Sequence, residues 1–244
     1  VAQIAYARTF DSTDDYLLMA DGGLITAISD MTVAAIIRIN DEADYRSIMS
    51  ISTPDAFEFI VNPVHALSFY NGSATEQTPV DYVLESMGWL LVAVTKTTGT
   101  TTPRWHRYTY SSTTWDHQDD SSSIANAATP QATSEVYIGT YDPTTDLFNG
   151  EIAVVGFWNS TALSDGQLEG LTDDIAAWEA LSPASLWLLN QSDVATTVED
   201  RTGTSDESGR VGTTATAVSD LAFDVGGGAP VSPTLSVVQS TLRW

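Results

Sequence analysis

Three aspartates share one short stretch of this chain: Asp11, Asp14 and Asp15. Hard cations such as calcium take several oxygen ligands, mostly carboxylates and carbonyls, and this stretch offers three. The same residue type also shapes turns by bonding its side chain to nearby backbone, so two readings stand: calcium ligands or turn builders. A second group is Trp105, Tyr108, Tyr110, Trp115, Asp116 and His117, with Gln118 beside it. Sugars stack on aromatic rings and hydrogen-bond to Asp, Asn and Gln. A hairpin here would present an aromatic platform to a glycan. The competing reading is that alternate aromatics cover the faces of a packed sheet.

Signals for catalysis are weaker. Glu58 in Phe57-Glu58-Phe59 and Glu151 in Gly150-Glu151-Ile152 are single acids on different strands. Glycoside hydrolysis needs two carboxylates at a fixed separation, and no local motif supplies them. His65, His106 and His117 lack the spacing of a metal set or a triad. His106 and His117 read as hydrogen-bonded surface histidines. There is no Gly-x-Ser-x-Gly elbow and no phosphate-cradling glycine loop. The expectation is a protein that is not an enzyme.

Charge narrows the partners. Nine basic residues face thirty-two acidic ones, for a net charge of −23, and Lys96 is the sole lysine. Such a surface repels phosphate backbones and anionic membranes, so neither nucleic acid nor a membrane is an expected partner. It suits dispersal on a crowded surface, a cation or a basic protein, or a salt-adapted source. With no cysteine, disulfides and thiolate chemistry are excluded. No apolar run reaches the length of a membrane span. The opening Val1-Ala2-Gln3-Ile4 has no signal-peptide pattern, and a signal already removed would look the same.

The elements that must position these residues are mostly strands. Short apolar runs with turn signals between them recur at Ala5–Phe10, Tyr16–Met19, Thr32–Asn40, Tyr45–Ser52, Phe57–Val61 and Ala66–Tyr70. They continue at Trp89–Lys96, Arg104–Tyr110, Glu135–Thr140 and Glu151–Trp158. Thr32–Ile39 and Trp89–Val94 are apolar on both faces and read as central strands. One helix is expected over about 164–180. Ser164 and Gln167 form a capping box, Leu168, Leu171, Ile175 and Trp178 fall on one face, and Pro183 marks the end. Leu186–Gln191 reads as one more strand. The stretch 191–225 is rich in Thr, Ser and Gly. Gly226–Pro230 is a linker to a terminal segment carrying Leu235, Val237, Val238, Leu242 and Trp244. That segment either docks on a neighbour by adding a strand or folds back as an edge strand.

Several motifs carry a family resemblance. Phe10-Asp11-Ser12-Thr13-Asp14-Asp15-Tyr16-Leu17 opens the chain. Val136-Tyr137-Ile138-Gly139, Phe148-Asn149-Gly150-Glu151 through Trp158, and Leu163-Ser164-Asp165-Gly166-Gln167-Leu168 follow late. Together they resemble the concanavalin A-like, laminin-G-type jelly roll over residues 5–180, with Ser12 where that family usually has glycine. The resemblance implies an all-β sandwich, residues 1–190, with one short packed helix. An extension over 191–225 and a docking segment over 226–244 would follow. It also implies that the opening loop lies near the Phe-Asn-Gly strand, bringing Asp146, Asn149 and Glu151 toward Asp11, Asp14 and Asp15 as calcium candidates. Residues 186–224 are similar to tails of structural proteins of actinobacterial tailed phages. That second resemblance implies a non-enzymatic protein on the virion surface, as capsid decoration or minor tail component. Its partners would be other virion proteins, copies of itself and a host-surface glycan. Three alternatives follow from the same residues: a free-standing, calcium-dependent lectin or carbohydrate-binding module, a glycan-processing enzyme, and a cell-surface protein of a salt-adapted microbe.

Overall fold

The computed structural model describes residues 4–19, 30–41, 44–51, 57–70, 75–78, 81–83, 85–97, 103–119, 135–191, 197–203, 207–218 and 220–225. Its strands are β1 (Tyr6–Asp11), β2 (Tyr16–Met19), β3 (Met31–Ile39), β4 (Arg46–Ile51), β5 (Phe57–Val61), β6 (Leu67–Tyr70), β7 (Thr75–Gln77) and β8 (Leu90–Lys96). They continue as β9 (Arg104–Thr109), β10 (Thr114–Asp119), β11 (Val136–Ile138), β12 (Asn149–Asn159), β13 (Ser185–Leu188), β14 (Glu207–Val211) and β15 (Thr214–Ala217). They form two antiparallel sheets. One runs β10-β9-β8-β3-β12-β1-β15, with β13 also pairing β12; the other runs β14-β2-β11-β4-β5-β6-β7. This is the expected jelly-roll β-sandwich.

Two cores explain the unbroken apolar runs. On β3, Met31, Val33, Ala35, Ile37 and Ile39 face the second sheet, while Ala34 and Ile36 face a second cluster on the outer side. A strand buried on both faces needs no polar alternation. The same split occurs on β8, where Leu90, Val92 and Val94 point inward and Leu91 and Ala93 outward. On β12 a bulge falls between Ile152 and Val154. The extra residue puts both Ala153 and Val154 on the outer side before Val155 returns inward. Gly150 precedes it at φ +147, where a Cβ would collide with the Arg38 carbonyl oxygen. The Phe-Asn-Gly motif therefore has a steric reason.

The outer cluster is roofed by helical segments. Ser164 caps α1 (Asp165–Glu169) with the expected capping box. The single helix of the sequence reading is interrupted by a 3-10 turn at Gly170–Thr172. It restarts as α2 (Ile175–Ala180), capped by Asp174, whose carboxylate accepts from the Ala177 N–H at 2.7 Å. Asp174 is extended, and an isolated parallel bridge pairs it with Asp224. Leu168, Leu171, Ile175 and Trp178 are all buried, as their spacing requires.

The chain past residue 190 is not merely an extension. β14 joins β2 and β15 joins β1, each closing an edge of its own sheet. Phe223 and Leu221 pack into the outer cluster. The terminal docking candidates Leu235, Val237, Val238, Leu242 and Trp244 lie outside the described residues. Among the described residues no helix is long and apolar enough to cross a membrane.

Candidate functional site

The aspartate loop between β1 and β2 brings Asp11, Asp14 and Asp15 together, with carboxylate oxygens within 4.8 Å of one another. Asp15 Oδ2 accepts from the Asp11 N–H at 2.7 Å, and Asp11 Oδ1 accepts from the Thr13 N–H at 2.8 Å. Burial pushes the Asp15 carboxyl up to about 6; the Asp11 N–H opposes this, and the carboxylates of Asp11 and Asp14 add to it. Ser12 sits at φ 62 in the left-handed region that glycine favours. Asn149 lies opposite Asp11 in the β1–β12 ladder. The other two calcium candidates lie elsewhere. Glu151 is held by Arg38, Nε to Oε2 at 2.9 Å and Nη2 to Oε1 at 3.1 Å. Asp146 lines a separate cleft. The donor set of six therefore divides, and hydrogen bonding within the loop accounts for Asp11 and Asp15 as turn builders.

The aromatic stretch does form a hairpin, β9–β10, but not an open platform. Trp105 is 0% exposed and belongs to the core between the sheets. The alternation of β9 puts it on the inner face, so it cannot stack on a ligand. Tyr108, Tyr110 and Trp115 lie on the outer face and pack against the outer cluster. Tyr110 donates its hydroxyl to the Thr172 carbonyl at 3.2 Å, under the helical roof. Asp116 accepts from Arg107 at 3.2 Å, and Arg107 lies over the Tyr82 ring. His117 stacks on Trp115 and faces His106, ring nitrogen to ring nitrogen, at 2.8 Å. His106 is buried, not a surface residue. Burial, and next the neighbouring His117, push its imidazolium down to about 3.

A separate candidate ligand site is a cleft on the outer face of the second sheet. It holds about 260 Å³ and is lined by Tyr45, Glu58, Ile60, Ser68, Tyr70 and Asp146. Phe57, Phe59 and Val61 of β5 point into the core, so Glu58 and Ile60 point out; on β6, Leu67 and Phe69 point in, so Ser68 and Tyr70 point out. Glu58 pairs with Tyr70 and Ile60 with Ser68 across the ladder. Asp146 reaches the cleft from the turn before β12, held at φ 56, and its carbonyl accepts from the Ser47 N–H at 2.9 Å. Tyr45 stands at the rim, 48% exposed.

The electrostatics of this cleft are unusual. Glu58 is 7% exposed and its Oε1 has no hydrogen-bond partner. Burial, with the Asp146 carboxylate next, pushes Glu58 up to about 8; the Ser47 hydroxyl offsets part of this. Asp146 is also raised, first by burial and then by Asp44 and Asp142. At neutral pH Glu58 is thus largely a protonated acid, able to donate one hydrogen bond and accept another. The cleft offers a rim aromatic, a second tyrosine, a hydroxyl and two carboxyl groups, both raised above the usual carboxylate range. The sequence reading named Glu58 and Asp146 without joining them. The alternation in Phe57–Val61 and Leu67–Tyr70 was the available signal for the shared face.

No protein-family model matches the chain, and no curated protein matches it. Solved structures do resemble it. A protein from Bacteroides ovatus, described as a candidate carbohydrate-binding protein, superposes at TM-score 0.65 with 19% identity, covering 88% of this chain and 60% of that one. The LG1-3 region of the laminin α2 chain superposes at 0.50 with 14% identity over 64% of this chain and 31% of that one. A heptameric pentraxin from Limulus polyphemus gives 0.49 and 16% identity, over 70% and 83%. This chain therefore spans about three fifths of the length of the Bacteroides ovatus protein. At these identities the likeness establishes the fold: a laminin-G-like, concanavalin-like jelly roll.

Proposed function

We propose that this protein is a carbohydrate-binding domain and that the cleft formed by Tyr45, Glu58, Ser68, Tyr70 and Asp146 receives the sugar. One observation carries the reading: a buried acid, Glu58, lines an open cleft with an unpartnered oxygen, flanked by tyrosines. An unpaired buried polar atom costs about 1–3 kcal/mol, and a ligand hydroxyl would satisfy it. Orientation by a few convergent polar groups against aromatic surface is how small ligands are fixed. The volume is just below the usual range of about 300–1,000 Å³ for small-molecule sites, so the cleft suits one sugar unit with the rest of a chain outside. The description of the Bacteroides ovatus structure agrees with this class of ligand.

The protein acts by binding and not by catalysis in this reading. The aspartate loop and the outer face of the hairpin take no part in sugar contact. A glycan array probed with the wild type and with Tyr45→Ala tests it. Array hits that Tyr45→Ala loses support the reading, because a rim tyrosine so exposed contributes little to folding. No hits, or hits that the variant keeps, overturn it. The finer reading places the domain on the outside of a tailed-phage particle, where the acidic surface keeps particles apart and a host glycan is the target. Its support is the similarity of residues 186–224 to phage structural tails and the net charge of −23. Labelled antibody on intact virions of a source phage tests that placement.

A further inference from the structure

The geometry points to a second site, independent of the sugar cleft: a divalent transition-metal site made by His106 Nδ1, His117 Nδ1 and Asp165 Oδ1. The two histidines stand directly opposite each other in the β9–β10 ladder, and Asp165 is the first residue of α1, which crosses that face. The ring nitrogens are 2.8 Å apart, and Asp165 Oδ1 lies 3.7 Å from one and 4.0 Å from the other. Around a metal with bonds of about 2.0–2.1 Å, tetrahedral ligand atoms lie about 3.3 Å apart. The three observed separations bracket that value, so small ring and carboxylate rotations close the site.

The surroundings of these ligands point the same way. His117 Nε2 is 3.3 Å from Glu169 Oε1, and His106 Nε2 is 3.1 Å from Thr95 Oγ1. A carboxylate only accepts, so His117 carries a proton on Nε2, and with that ring neutral its Nδ1 lone pair faces His106. His106 must then donate from Nδ1, and its Nε2 accepts from the Thr95 hydroxyl. One proton lies between two ring nitrogens where a cation would sit. When a metal enters, that proton moves to His106 Nε2, which then donates to Thr95 Oγ1. For two neutral rings, no net proton is released. Outer hydrogen bonds of this kind fix the ring orientation of metal-binding histidines. Trp115 stacks within 9° of the His117 plane and holds it further. Arg104 grips Asp165 at 2.8 and 2.6 Å.

Charge and access also fit. One guanidinium, Arg104, and three carboxylates, Asp119, Asp165 and Glu169, leave two net negative charges to complement a divalent ion. Asp165 also lines a cleft of about 570 Å³ with Thr95, Arg104, Asp119 and Ser164. Asp165 is the ligand that faces this cleft, which gives an ion an entry path. Two imidazoles and one carboxylate select zinc, cobalt, nickel or copper over calcium.

Titration of the full, chelator-treated chain with Co²⁺ and then Zn²⁺ tests the site. One equivalent of Co²⁺ should give four-coordinate visible absorption that one equivalent of Zn²⁺ erases, and Zn²⁺ should shift both Nδ1 resonances in ¹⁵N spectra. His117→Gln, checked for folding by circular dichroism, should weaken binding roughly a hundredfold or more, and Glu169→Gln about tenfold. Asp14→Asn, in the aspartate loop, should change nothing. The inference is overturned if Co²⁺ gives no such spectrum, if folded His117→Gln binds as tightly as wild type, or if Asp14→Asn abolishes binding. The ¹⁵N shifts in wild type decide the matter even if a variant misfolds.

Discussion

Glu151 on β12 and Glu58 on β5 are both acids on well-paired strands, 6% and 7% exposed, and the protein treats them in opposite ways. Glu151 is clasped by Arg38 through two hydrogen bonds; Arg38 also binds Asp220 at 3.0 Å and lies 5.0 Å over the Trp89 ring. Glu58 meets like charge from Asp146 and Asp142, offset only in part by the Ser47 hydroxyl, and its Oε1 has no partner. A buried acid with its own cation holds a surface together. A buried acid without one, facing a cleft, is a cost to folding that a ligand can relieve. Perturbed groups of the second kind mark functional sites more often than those of the first.

The comparison breaks first at Arg38. Arg38→Ala leaves Glu151 buried and unpaired, and urea unfolding should show a loss of about 3 kcal/mol or more. A loss under about 1 kcal/mol would mean that Glu151 needs no partner, and the contrast with Glu58 would fail. Glu58→Gln should do the reverse. An acid raised from 4.5 to about 8 in the fold binds its proton more tightly folded than unfolded. The Glu58 contribution to stability therefore falls as pH rises from about 4.5 to about 8 and is level outside that window. The variant should gain about 4 kcal/mol at pH 8 and little at pH 4, read as melting temperature against pH. Asp15, raised to about 6, adds a slope of the same sign below that value, and His106, lowered from 6.5 to about 3, adds one of opposite sign between those two values, so the window from about 7 to 8 isolates Glu58. The smallest effect sharpens the rule that pairing matters only when buried. Arg201 and Glu179 are 38% and 41% exposed, and Arg201→Ala should change stability by no more than about 0.5 kcal/mol.

Much of the fold was legible because strand faces announce themselves. The doubly apolar runs at residues 32–39 and 89–94 became central strands, and Ser164 with Gln167 did cap a helix. The helix broke where Asp174 is extended and bridged to Asp224, a partner fifty residues away that local spacing cannot reveal. β14 and β15 were missed because Glu207–Val211 and Thr214–Ala217 hold few large apolar residues and gain their structure from edges supplied by β2 and β1. The aromatic stretch was read as a hairpin but not as a roofed one, since nothing local says that Thr172 covers Tyr110. His106 and His117 meet only through cross-strand register, so their eleven-residue separation hid them. Glu58 and Asp146 come from a distant strand and turn, which is why an acid that looked isolated and one grouped with the calcium candidates share one cleft.

The central claim is that the uncompensated acid marks the sugar site. The most direct test is a ¹H–¹⁵N titration of the wild-type chain with the best array-selected sugar, with the backbone assigned. The account predicts saturable shifts at Tyr45, Glu58, Ser68, Tyr70 and Asp146 and none in the β9–β10 hairpin. Shifts centred on Tyr108, Trp115 and His117, with the cleft silent, would contradict it.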